Sequence, residues 1–126
     1  MLKDSILVVS IGRHTRLGDA LETALDGLRF QTIEAEELET ADCADARVLF
    51  AASADPAGGN EPMRRLTARL LRGELRLCGA VCAMIADGEQ GGAMRTDALR
   101  LLLAANAAGA EVLPQALLES GRDLRA

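Results

Sequence analysis

The chain is 126 residues long, enough to bury one core and short for two. With two phenylalanines and no Trp or Tyr, the core falls to Leu, Ala, Val and Ile, and the scarcity of rings counts against binding nucleic acid by base stacking. A net charge of −5 opposes binding to phosphate backbones, and no apolar run reaches the roughly 18–20 residues of a membrane span.

Met1-Leu2-Lys3-Asp4 places an acid early and leads into a strand rather than a secretory apolar region. Ser5–Ile11 (SILVVSI) is a continuous β-branched run, the pattern of a strand covered on both faces. Gly12 ends it. A helix is expected from Thr15, a suitable N-cap, with Leu17, Leu21, Ala24, Leu25 and Leu28 at helical spacing and Gly27 as its stop. Phe30–Glu34 (FQTIE) alternates as a second strand. From Glu34 to Asp45 the chain is acidic, with Leu38 its only large apolar residue, and reads as a solvated connector or a short, poorly buried helix.

Arg47–Ala52 (RVLFAA) is a third strand, followed by a loop from Ser53 to Pro62 carrying Asp55-Pro56 and Gly58-Gly59-Asn60. Pro62 suits the first turn of a helix that turns Met63, Leu66, Leu70 and Leu71 inward. Arg65, Arg69, Arg72 and Arg76 recur every three or four residues, which places them on one outer, solvated face. Leu77–Ala86 (LCGAVCAMIA) reads as a fourth strand with Cys78 and Cys82 on one buried face. The Gly-rich loop 87–92 follows, then a helix over Met94–Ala108 closed by Gly109, and a short fifth strand, Ala110–Leu113, ended by Pro114. The three cysteines, Cys43, Cys78 and Cys82, form no disulfide framework, so the expected setting is the cytoplasm with reduced thiols.

Strands alternating with helices predict an α/β fold, a parallel sheet with right-handed crossovers in one domain spanning residues 1–126. In such sheets ligands bind beyond the carboxyl ends of the strands, at a topological switch point. Three loops fall there: 10–16, 53–62 and 87–93. The first, Ser10-Ile11-Gly12-Arg13-His14-Thr15-Arg16, joins a strand to a helix with hydroxyls, a glycine and two arginines. It reads as a phosphate cradle or as a plain turn capped by Thr15. His14, the sole histidine, is either a donor to that phosphate or an exposed loop residue, and one histidine without clustered cysteines makes no metal site. Neither the Walker A pattern nor G-x-G-x-x-G is present.

These residues resemble the flavodoxin-like superfamily and, within it, the NAD(P)H-dependent FMN reductases. Ser10 to Thr15 stand in place of an S-x-x-G-N-T loop, with Arg13-His14-Thr15 over G-N-T. Ser53-Ala54-Asp55-Pro56-Ala57-Gly58 stand over S-P-x-Y-x-G, followed by Arg64 and Arg69 in the family's basic positions. Gly88 to Gly92 and Gly109-Ala110-Glu111-Val112-Leu113-Pro114 are similar to the Gly-rich loop and the G-x-x-V-x-P close. The resemblance spans nearly the whole chain. It implies a three-layer, doubly wound, five-stranded parallel sheet in the order 2-1-3-4-5, with Leu17, Leu21, Ala24, Leu66, Leu70, Leu99 and Leu102 buried.

It also implies bound FMN with NAD(P)H as co-substrate, in a flavin or quinone reductase that forms homo-oligomers. Ser10, Arg13, His14 and Thr15 would hold the phosphate; Ser53, Asp55 and Gly58 would border the ring, and Gly88 to Gly91 its far edge. One departure is chemical: Pro56 stands where the family has the aromatic residue that covers the flavin. That departure points to a second reading, a flavodoxin-like module without cofactor that acts in binding or assembly. A third reading is an electron-carrying flavodoxin that holds FMN without oxidising NAD(P)H.

Overall fold

Residues 5–12, 23, 26–53, 60–87 and 92–119 are described by the computed structural model. The apolar runs form five strands: β1 (Ile6–Ile11), β2 (Phe30–Glu34), β3 (Arg47–Ser53), β4 (Val81–Asp87) and β5 (Glu111–Glu119). All neighbouring strands pair in parallel, in the order β2-β1-β3-β4-β5. The helices among the described residues are α1 (Thr40–Cys43), α2 (Glu61–Leu71) and α3 (Gly92–Ala107). The order predicted from sequence is therefore the observed one.

Strand periodicity explains where the core sits. Leu7, Val9 and Ile11 of β1, Val48 and Phe50 of β3, and Cys82 and Met84 of β4 join one cluster with Met63, Leu66 and Leu70 of α2 and Leu101 and Leu102 of α3. On the alternate positions, Val8 and Ala51 are buried with Ile6, Leu49 and Ile85 packed around them, so the central strands are covered on both faces. Leu66, Leu70 and Leu102 are buried as expected. Leu17, Leu21, Ala24 and Leu25 lie outside the residues whose side chains are described.

Several expectations are corrected. Leu99 is 42% exposed and Leu71 68% exposed. In α3 the buried stripe runs through Ala98, Leu101, Leu102, Ala104 and Ala105, which turns Leu99 and Leu103 outward. Leu71 is the last residue of α2, one step round the helix from the buried Leu70. Leu28 sits in a turn beside Gly27 and is exposed, rather than on a helical stripe.

The fourth strand starts at Val81, four residues later than expected. Residues 77–80 turn first: the Ala80 N–H donates to the Leu77 carbonyl, and Gly79 takes φ +78. Cys78 is consequently exposed while Cys82 stays in the core, and all three cysteines are free thiols.

Pro114 does not end the fifth strand. β5 runs on to Glu119 across a register shift, with Cys82 opposite Val112 and Met84 opposite Leu117. Proline cannot donate to a ladder, and an edge strand with an irregularity accommodates it.

The acidic connector is also better anchored than its composition suggests. Glu36, Glu37 and Glu39 are exposed, while Ala35, Leu38 and Cys43 are buried through a 3-10 turn (Ala35–Glu37) and α1. Nor is the arginine stripe one solvated face. α2 stops at Leu71 before Arg72 and Arg76, and the Arg69 guanidinium reaches back to donate to the carbonyls of Ala35 (3.1 Å) and Leu38 (2.8 Å).

Candidate functional site: the crevice at the carboxyl ends of β1, β3 and β4

From β1 the chain moves to β2 on one side of the sheet, then returns across it to β3, β4 and β5 on the other. The order reverses between β1 and β3, which makes that gap the switch point. The registers align the three strand ends: Ile11 lies beside Ala52, Ala52 beside Ala86, and Ser53 beside Asp87. With neighbouring strands roughly 4.8 Å apart, the ends of β1 and β4 stand about 10 Å from each other. The strand ends from which the three loops begin therefore stand side by side.

Of the residues expected to form the site, the structure describes Ser10 and Ser53. Ser10 is buried in β1, one residue before the last, and Ser53 is the terminal residue of β3. Arg13, His14, Thr15, Asp55, Gly58, Gly88 and Gly91 lie outside the described residues. Gly12 follows β1 in a bend with φ +77, a left-handed conformation that suits glycine. A Cβ built on Gly12 would come within 3.4 Å of the Asn60 side-chain amide.

Asn60 was not expected to matter, and it organises the crevice. It caps α2: its Oδ1 accepts from the Met63 N–H at 2.9 Å, and proline stands in the first turn of the helix. Its Nδ2 donates to the Ile11 carbonyl at the end of β1, 3.3 Å away. Its backbone N–H donates to Asp97 Oδ2 in α3, 3.4 Å away. Asn60 is 2% exposed and Asp97 6% exposed, so these polar groups are held out of water. Arg64 borders the same cluster, pairing with Glu61 at 3.0 Å and lying 4.0 Å from the Asp97 carboxylate. The available sequence signal was Asn60-Glu61-Pro62, a capping residue followed by a first-turn proline. A second signal was an aspartate four residues before the buried Leu101, on the inward stripe of α3.

Neither phenylalanine belongs to the crevice. Phe50 is fully buried in the core, and Phe30 begins β2 opposite Ile6, at the amino end of the sheet.

The solved structures similar to this chain include several flavodoxins. A short-chain flavodoxin associated with a non-canonical PDU bacterial microcompartment superposes with a TM-score of 0.70 at 16% identity, covering 99% of this chain and 90% of that one. Oxidised Flavodoxin 2 from Bacillus cereus gives 0.68 at 15% identity, over 96% and 90%. Fusobacterium nucleatum flavodoxin bound to flavin mononucleotide gives 0.63 at 16% identity, over 86% and 68%. Neither a protein-family model nor a curated protein sequence matches the chain. The fold is flavodoxin-like. Among the described residues, no helix is long and apolar enough to cross a membrane.

Proposed function

We propose that this chain binds FMN in the crevice at the carboxyl ends of β1, β3 and β4 and works as an NAD(P)H-dependent oxidoreductase, a flavin or quinone reductase. The observation that carries the binding is the site's position: β1 is followed by a left-handed glycine at the switch point of a flavodoxin-like sheet. Structures of that fold that cover 86% of this chain or more include flavodoxins with FMN bound. Reductase activity with NAD(P)H is supported by the sequence resemblance described above.

The left-handed Gly12 at the end of β1 supports placing the phosphate end of such a cofactor there. Gly12 brings bare backbone to the turn where a helix-capping loop would follow, and the sequence after it supplies Arg13, His14 and Thr15. When bound, FMN supplies the hydride and electron chemistry. The protein's part is to hold the phosphate with Ser10, Arg13, His14 and Thr15 and to border the ring with Ser53, Asp55, Gly58, Gly88 and Gly91.

A second reading is favoured by one observation: no aromatic side chain is placed to cover a flavin ring. The chain has no Tyr or Trp, and both phenylalanines stand away from the crevice. In that reading the domain carries no cofactor and serves binding or assembly.

Calorimetric titration with FMN and with riboflavin separates the two. Tight FMN binding with much weaker riboflavin binding supports the cradle, and NADPH oxidation by the loaded protein supports the reductase. Binding without NAD(P)H oxidation marks an electron carrier, and absence of binding marks the cofactor-free module.

A further inference from the structure

Three of the hydrogen bonds of Asn60 run to three different parts of the crevice. One reaches the last residue of β1, one the first turn of α2, and one the α3 helix that follows β4. Capping α2 needs only the Oδ1 acceptor, which Ser or Asp would supply equally well. The Nδ2 donor and the buried Asp97 carboxylate are superfluous to a cap. A buried carboxylate is costly unless it is hydrogen-bonded or paired, and Asp97 draws its support from the Asn60 N–H, with Arg64 at 4.0 Å.

We propose that Asn60 and Asp97 are positioning residues that latch the β1 terminus to the two helices flanking the crevice, fixing the Ile11–Gly12 turn for ligand. Asn60 ties the turn through its side chain, and Asp97 holds the Asn60 backbone so that the side chain aims at Ile11. Identifying the ligand as FMN rests on the reading given above; the latch itself does not.

The test compares Asn60→Ser, Asn60→Asp, Asp97→Asn and Asp97→Ala with the parent protein. Amide hydrogen exchange is read on the ligand-free proteins, and FMN affinity by calorimetry. Asn60→Ser keeps the cap and loses the bond to Ile11. Exchange around residues 10–12 should speed several-fold while the interior of α2, residues 65–70, stays as protected as in the parent. Asn60→Asp also keeps the cap, but turns a carboxylate toward the Ile11 carbonyl and Asp97, so its effect should exceed that of Ser. Asp97→Asn retains an oxygen acceptor and should stay close to the parent; Asp97→Ala should loosen the same turn as Asn60→Ser.

FMN affinity should fall about three- to tenfold in Asn60→Ser, the equivalent of one neutral hydrogen bond. The Asn60→Ser, Asp97→Ala double variant should lose less than the sum of the singles, because both act on one contact. Parent-like exchange at residues 10–12 in Asn60→Ser, or strictly additive losses, would overturn the latch. If the parent binds no FMN, the cofactor reading fails, and the exchange comparison still decides the latch.

Discussion

Replacing Arg69 tests whether a half-buried arginine, rather than the short helix α1, holds the acidic connector in place. Its guanidinium donates to the carbonyls of Ala35 and Leu38 at 3.1 and 2.8 Å, clamping the chain just after β2. The same group lies 3.9 Å from Glu74. Hydrogen bonds to charged groups contribute about 1.5–3 kcal/mol each. The side chain is 29% exposed, so water replaces part of what is lost, and about 2–3 kcal/mol for the pair is the appropriate scale for Arg69→Met.

For a domain of this size that loss lowers Tm by roughly 6–12 °C. Arg69→Lys keeps the charge and the aliphatic stem, but one ammonium cannot span two carbonyls as a planar fork does. It should recover no more than about half of the loss. Glu74→Gln removes only two solvent-screened ion pairs, with Arg69 and with Arg72 at 3.6 Å, and should cost less than about 1 kcal/mol. Urea unfolding of the three variants, with a common m-value, gives the comparison. An Arg69→Met cost within about 0.5 kcal/mol of zero, or a lysine variant equal to the parent, would refute the clamp.

In the native protein at pH 8, a thiol reagent should modify the exposed Cys78 quickly and the buried Cys43 and Cys82 slowly, which mass spectrometry of the labelled peptides reads directly. Burial, with a smaller contribution from nearby Cys43, pushes the Cys82 thiol up from 9.0 to about 12. The unfolded chain therefore releases this proton first, and stability should fall as pH rises from 9 toward 12. Cys82→Ala should flatten that slope in unfolding titrations, whatever it does to the baseline stability. Gly79 takes φ +78, and a Cβ there would run into the Asp45 carboxylate. Gly79→Ala should cost about 2 kcal/mol or more by thermal unfolding, with partial recovery on adding Asp45→Gly.

The strands were legible because β1 and β3 are short apolar runs bounded by turn residues, and parallel pairing followed from their alternation with helices. Where the reading slipped, the local pattern was degenerate. Residues 100–108 read RLLLAANAA, so a stripe through Leu99 and Leu103 looks as apolar as the real one through Ala98, Leu101 and Ala105. In LCGAVCAMIA only Gly79 hints that the first four residues turn, because Leu77 is buried as fully as a strand residue would be. Arg69 looked like any other member of a charged stripe. Its partners are 31 and 34 residues away, and nothing near it in sequence shows them.

The strand ends that border the candidate crevice were legible, and the contacts that join them were not. The rule for open parallel sheets located the crevice from strand order alone, but the Asn60–Asp97 contact joins positions 37 residues apart. Composition gave the number of aromatic residues; only the folded chain shows that both phenylalanines are used elsewhere, one in the core and one at the far end of β2. That placement has a consequence for the FMN reading. In a bound FMN, with no ring to stack on, only aliphatic and backbone contacts would meet the isoalloxazine, while the proposed phosphate contacts would be charge-assisted donors worth about 1.5–3 kcal/mol apiece. Two such donors are equivalent to a factor of roughly 10²–10⁴ between FMN and riboflavin, whereas a site built on aromatic stacking would hold the two ligands far more evenly.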